Sequence, residues 1–315
     1  MSSLKVIGHL NPDTDSTCTP VVYAWYLTEI KGQNAQAVLA GEPNREALYL
    51  LERFNTAKPE IISQLNEGEQ IVLMDTNNAE ELVSGWDKAE IIEIVDHHKL
   101  FGNISTEKPV SIVMSPVACV ATIVWEMMVS SLATGKLSAD HAGLLLGSIL
   151  SDTLKFSSPT TTQRDRDAAS ALSEIAAVNV DELAEKMFAA KSDLTGMSAQ
   201  DIILMDSKAA EFAGKKLRVS VLETVKPENA LAMKDELIAG ISKLKSEQGL
   251  AHLPLFIVDI MSTASTVIMA DEADKELIGK AFGVEVSVDT VSLPGVVSRK
   301  KQMLPNLEKA LIDAN

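Results

Sequence analysis

Two cysteines in 315 residues are too few for a disulfide framework. Cys18 and Cys119 make no metal-type spacing, and they read as reduced thiols buried in helices. Long apolar runs are missing too. The longest, such as residues 143–150, fall far short of a bilayer span. The opening Met-Ser-Ser-Leu-Lys lacks the charged-then-apolar order of a secretory signal. Together these absences predict a cytoplasmic chain without membrane association. Basic residues are scarce, 28 against 44 acidic, for a net charge of −16. Such a surface repels nucleic acid at long range, yet leaves room for a local basic pocket for a small anion. No G-x-S-x-G marks a serine nucleophile and no Walker loop marks an NTPase. Internal repeats and low-complexity tracts are lacking as well. What is present is apolar material, 46% of the residues, in a chain long enough for two cored domains.

The apolar segments set the fold class. Continuous Val/Ile/Leu runs predict strands over 4–8, 35–40, 70–75, 91–95 and 110–114, the habit of a parallel sheet covered on both faces. Helices are predicted over 16–31, capped by Asp15 or Ser16, and over 43–54, with Pro43 near the first turn. Four more follow, near 117–132, 138–154, 162–178 and 180–190, the third opened by a capping box of Thr162 and Asp165. The reading is α/β, with an N-terminal parallel-sheet domain over 1–191 and a polar, Gly-containing linker over 192–199. A smaller α/β domain with a mixed sheet fills 200–315. Within that last part the pattern predicts helices near 198–206, 228–247, 272–281 and 302–313. Strands are predicted at 216–223, 254–260, 264–270 and 284–293.

Chemistry-bearing residues gather at strand and helix ends. Residues 8–16, Gly-His-Leu-Asn-Pro-Asp-Thr-Asp-Ser, follow the first strand, so His9, Asp13 and Asp15 leave one rigid point together. Carboxylates held this close repel unless a cation lies between them, and mixed imidazole and carboxylate donors suit transition metals. Asp75-Thr76-Asn77 and Asp96-His97-His98 each follow another apolar strand. Adjacent histidines after a strand-end aspartate are rare as turn chemistry, and Asp96 could orient a ligand histidine. Ser151-Asp152 ends the apolar helix 138–154, where an acid opposes the helix dipole unless a cation sits there. The fifth station is Ser298-Arg299-Lys300-Lys301-Gln302, a cationic run after the turn signal Pro294-Gly295 and a candidate phosphate clamp, to which Lys208 could add. His141 and His252 lie in no such context.

Taken in this order and at this spacing, the five stations resemble the family II inorganic pyrophosphatases, manganese-dependent members of the DHH phosphoesterase superfamily. Asp96-His97-His98 alone indicates the superfamily, and Ser298 to Gln302 narrows it. The resemblance spans the whole chain. It implies an active site in a cleft between two domains, with two Mn2+ per subunit, replaceable by Co2+, Zn2+ or Mg2+, and an additional Mg2+ arriving with substrate. It implies that His9 and Asp13 hold one metal, that Asp15, His97 and Asp152 hold the other, and that Asp75 bridges them. Catalysis would involve Asp75, His98, Lys208, Arg299 and Lys300. Substrate phosphates would meet His98, Lys208, Ser298, Arg299 and Lys300. The implied reaction is hydrolysis of inorganic pyrophosphate to two orthophosphates by a metal-bridged hydroxide, in a homodimer. One departure is Thr76, where many relatives have His, which implies altered tuning of metal affinity. The alternative is another DHH phosphoesterase, acting on oligonucleotides or cyclic dinucleotides. That alternative calls for a glycine-rich, histidine-containing motif in the second domain, and the sequence has none.

Overall fold

In the computed structural model, residues 3–313 are described, and the chain divides into two compact units, Met1–Ala190 and Lys191–Asn315. The first runs β1 (Leu4–Ile7), α1 (Thr14–Glu29), β2 (Ala35–Leu39), α2 (Arg45–Arg53), β3 (Glu60–Ile61), β4 (Gln70–Met74), β5 (Glu90–Asp96) and β6 (Ser111–Met114). Four helices complete it: α3 (Val120–Ser130), α4 (Ala139–Asp152), α5 (Gln163–Ala176) and α6 (Val180–Lys191).

The six strands pair in parallel in the order β3-β2-β1-β4-β5-β6. This is a doubly wound sheet. Its order reverses between β1 and β4, and at such a switch point the connections leave in opposite directions and open a crevice at the carboxyl ends of the strands. Ile7, Val72, Leu73, Met74 and Val95 are buried to within a few per cent, as strands covered on both faces must be. The α/β character, parallel first sheet and mixed second sheet all match the sequence reading.

Helix starts follow local chemistry. The backbone of Asp13 is extended, and its carboxylate accepts from the Ser16 amide at 3.0 Å, so α1 begins at Thr14 and its cap is Asp13, not Asp15 or Ser16. Pro43 lies outside α2, whose cap is Asn44, accepting from the Ala47 amide at 2.8 Å. The capping box of Thr162 and Asp165 is present at α5. Cys18 lies within α1, and Cys119 is the residue that opens α3; both are buried free thiols.

The second unit contains α7 (Ala199–Met205), β7 (Ser207–Phe212), β8 (Lys215–Thr224), α8 (Pro227–Ala232), α9 (Lys234–Gln248), β9 (Leu255–Asp259), β10 (Ala264–Ile268), α10 (Glu272–Phe282), β11 (Thr290–Pro294) and α11 (Leu304–Ile312). Its sheet runs β11-β10-β9-β8-β7, parallel only between β8 and β9. Alternate residues serve two cores. Val219, Phe256 and Val267 pack with α10 and α11, while Leu222, Ile257 and Ile268 pack with α7 and α9. The helix expected over 228–247 is broken at Met233 into two pieces. The strand expected from 284 starts at Thr290, because Gly283 ends α10 in the left-handed conformation and the Val284 amide turns back to the Gly279 carbonyl. The strand β7 went unread: Ala213 and Gly214, both at positive φ, make its hairpin turn without the Asn-Gly signature.

Gly143 on α4 lets the ring of Phe54 at the end of α2 pack directly on helix backbone; a Cβ there would lie 2.1 Å from the ring. Gly143→Ala is therefore expected to cost about 1–3 kcal/mol of stability by overpacking. Urea unfolding reads the effect, and an unchanged midpoint would show that α2 and α4 have slack.

Candidate metal centre

The loop after β1 is shaped by a close approach. A Cβ on Gly8 would meet Ser16 Oγ at 2.7 Å, so only glycine fits between β1 and the start of α1. Ser16 Oγ, held there, donates to Asp75 Oδ2 at 2.9 Å and accepts from the His9 amide at 3.3 Å. It ties the first station to the second across the switch point.

Asp75 follows β4 with φ +61°, a left-handed backbone that aspartate tolerates at a cost of about 1–3 kcal/mol. Its amide still reaches the Val95 carbonyl of β5 at 3.0 Å. The twist turns a nearly fully buried carboxylate back over the sheet end, with its two oxygens facing different partners. Oδ2 lies 3.4 Å from His9 Nε2, and Oδ1 lies 3.1 Å from His97 Nε2.

Each histidine at this sheet end has Nδ1 occupied. His9 Nδ1 donates to the Leu10 carbonyl at 2.8 Å, and His97 Nδ1 to the Val117 carbonyl at 3.1 Å. His98 Nδ1 donates to Asp96 Oδ1 at 2.9 Å. For His9 and His97, fixing Nδ1 leaves Nε2 to face Asp75, the arrangement by which an imidazole is oriented for a metal. Asp96 thus orients His98, while a backbone carbonyl orients His97.

Among the described residues, three groups bring one donor atom each to within 4.8 Å of one another. They are His9, Asp13 and Asp75; Asp15, His97 and Asp152; and Asp75, His97 and His98. Asp13 divides its labour, Oδ1 capping α1 and Oδ2 lying 3.6 Å from His9 Nε2. Asp15 is fully buried, accepting from Thr19 Oγ1 and from the Val120 amide at 2.6 Å. Asp152 is the last residue of α4, on the wrong end of the helix dipole.

The electrostatics say what is missing from such a cage. Burial and the charge of Asp75 push Asp15 up to about 7. Burial and the charges of Asp15, Asp13 and Asp75 push Asp152 well above the carboxylate range. Burial works against the charged form of His97, but Asp75 and Asp15 outweigh it and raise the ring to about 9. His9 is raised for the same reason: Asp13 and Asp75 overcome its burial. Burial also works against ionised Asp75, yet His9 and His97 hold it well below the usual range. Three imidazoles, those of His9, His97 and His98, are too little cation for four carboxylates, and oxygen plus imidazole donors fit divalent transition ions.

The predicted phosphate contacts of the second unit lie on two elements. Lys208 is exposed on β7. Ser298 opens a single π-helical turn, Arg299–Met303, a form that recurs at functional sites. Arg299 Nη1 donates to Asp206 Oδ1 at 2.7 Å and to the Asp206 carbonyl at 3.1 Å, which fixes it two residues from Lys208. Its Nε is buried with no acceptor. Gln302 Oε1 accepts from the amides of Val297 and Ser298, each at 2.9 Å, and Lys300 is exposed on the turn.

Comparison with known proteins now separates the possibilities that a shared metal station leaves open. A profile described as DHH family, N-terminal domain, matches residues 3–149, and a DHHA2 domain profile matches 185–310. A probable manganese-dependent inorganic pyrophosphatase of Deinococcus radiodurans is 37% identical, over 97% of this chain and 98% of that one. The chain belongs to the family II, manganese-dependent inorganic pyrophosphatases. A second such relative, from Archaeoglobus fulgidus, is 36% identical over 98% of both chains. The crystal structure of a putative family II inorganic pyrophosphatase from Methanococcus jannaschii superposes with a TM-score of 0.80. It is 32% identical and covers 98% of this chain and 100% of its own.

Three supporting residues of this family II fold escaped the sequence reading. Asn77, buried, donates to Asp96 and to the Lys99 carbonyl at 2.9 Å, and accepts from the Phe101 amide at 2.8 Å, so it latches the histidine loop. Asp165 does more than cap α5: it accepts from the Ala118 amide at 3.2 Å and from Thr122 Oγ1 at 2.7 Å, holding the segment whose Val117 carbonyl orients His97. Glu46 is the third. Asn77 has a sequence signal in its place two residues after Asp75, and Asp165 in its capping box, whereas Glu46 has none.

At pH 7 the metal-free cage holds protons that an ion must displace, since Asp15 titrates at about 7 and His97 at about 9. Divalent-ion uptake is therefore expected to release protons at pH 7, with affinity rising as pH rises toward 9. Calorimetry in two buffers of different ionisation enthalpy reads this directly, and zero net exchange would contradict the charge assignment.

Proposed function

We propose that His9, Asp13 and Asp75 hold one divalent ion, that Asp15, His97, Asp152 and Asp75 hold a second, and that pyrophosphate is hydrolysed there to two orthophosphates. The observation that carries this reading is the convergence of four carboxylates and two imidazoles at the switch point, with Asp75 turning one oxygen to each set. The relatives' names point to Mn2+; on the chemistry of the donor set we add Co2+, Zn2+ or Mg2+ as substitutes, and we propose that an additional Mg2+ enters with substrate. When bound, such a pair supplies Lewis acidity at phosphoryl oxygens and activates water at neutral pH.

The chain's own part is to position and to neutralise. Asp75 serves both ion sets from a backbone that cannot relax without losing its place over the sheet. Asp96 holds His98 so that Nε2 can meet a phosphate oxygen. Arg299, Lys300 and Lys208 balance the charge that grows on the departing phosphate, and Ser298 adds a hydroxyl. We propose further that the protein is a cytoplasmic homodimer, as the resemblance implies. Among the described residues no helix is long and apolar enough to cross a membrane.

Phosphate release from pyrophosphate, with a dinucleotide assayed in parallel and each metal supplied in turn, tests the substrate. Turnover of pyrophosphate with Mn2+ is expected, and cleavage of the dinucleotide alone would refute it. Asp75→Ala should remove nearly all turnover and lower bound metal. Arg299→Ala should lower turnover on the order of 100-fold or more while leaving metal content largely intact. Equal loss of metal in Arg299→Ala would mean that the cation belongs to the metal site.

A further inference from the structure

We infer that Glu46 is a positioning residue for the metal pair, the buried tie that keeps the acidic start of α1 and the acidic end of α4 at ligand spacing. The inference rests on the two-ion reading above. Glu46 sits in the first turn of α2, which follows β2 and contributes no donor to the cage. Its side chain is fully buried. One oxygen, Oε2, accepts from Thr14 Oγ1 at 2.7 Å and from Ser151 Oγ at 2.6 Å. Thr14 stands between Asp13 and Asp15, and Ser151 stands next to Asp152.

Packing alone does not call for a carboxylate there. The contact of α2 with α4 is already made by Leu50 and Phe54 against Gly147 and Gly143. A buried carboxylate carries a desolvation cost that an apolar side chain of similar size would avoid. Its place makes sense through what it opposes. Asp15 and Asp152 bring carboxylate oxygens to within 4.8 Å of each other across the seam of α1 and α4, so like charges face one another there. A bond from one oxygen to a hydroxyl on each helix resists that repulsion in the absence of an ion. The seam has lesser ties of the same kind, Thr19 Oγ1 to Ser148 Oγ at 3.3 Å and Ser148 Oγ to the Thr14 carbonyl at 3.4 Å. Glu46 reaches both helices from a third.

The test is calorimetric titration of metal-free protein with Mn2+, alongside urea unfolding of the same samples. Glu46→Leu is expected to weaken ion affinity about tenfold or more, by analogy with other groups that orient metal ligands. Glu46→Gln, which keeps one acceptor oxygen, should recover most of that loss. Thr14→Val and Ser151→Ala should each weaken affinity, and adding Ser151→Ala to Glu46→Leu should weaken it no further. Unchanged affinity in folded Glu46→Leu, whatever its stability, would overturn the inference, as would Glu46→Gln binding as weakly as Glu46→Leu. Should Glu46→Leu fail to fold, unchanged affinity in both Thr14→Val and Ser151→Ala overturns it equally. Absence of Mn2+ uptake by the unaltered protein would instead bring down the two-ion reading, and this inference with it.

Discussion

Four aspartates crowded at one end of a parallel sheet repel one another, and the rest of the first unit is arranged around holding them there. Chain topology creates the problem. The order reversal between β1 and β4 aims both following loops into one crevice, and β5 delivers its histidines beside them. The helix α4 adds Asp152 from the far side, against its own dipole. Left to themselves, these groups would take up protons or move apart, and Asp15 and Asp152 already titrate high. In the reading proposed above, a divalent pair would resolve the conflict, and the chemistry would follow from that resolution.

The supports form a hierarchy. Closest in are the carbonyls of Leu10 and Val117 and the carboxylate of Asp96, which fix the histidine tautomers. Behind them, Asn77 latches the loop after β5, Asp165 holds the Val117 segment, and Ser16 joins the loops after β1 and β4. His9 and His98 are fixed by near neighbours in the chain, whereas each of these outer supports joins segments well separated in sequence. Precision at the site is therefore a tertiary property: no single loop could keep its donors in place. In the second unit a lone helical irregularity serves a similar end, since the π turn and Gln302 present Ser298 to Met303 as a rigid cationic edge.

Legibility in the sequence tracked the range of the interactions. Strand β4 is readable because burial on both faces demands an apolar run, and β1 and β5 because each is apolar apart from one partly exposed charge, Lys5 or Glu93, inside the strand. Their terminal His and Asp residues were readable because such types seldom cluster by chance. The cap of α1 is Asp13 rather than Asp15 or Ser16, since the cap depends on where the backbone leaves the extended region. The strand β7 was invisible because Ser-Lys-Ala-Ala-Glu-Phe has little strand propensity and is specified by pairing with β8. Glu46 looked like an ordinary acid in a helix's first turn. Nothing local distinguishes it from a residue favouring the dipole, and its partners lie 32 and 105 residues away.

The most direct measurement of the central claim is anomalous diffraction at the manganese edge from crystals of the Mn2+-loaded protein. The account requires two peaks flanking Asp75, one among His9, Asp13 and Asp75 and one among Asp15, His97 and Asp152. A single peak, or manganese bound away from Asp75, would contradict it.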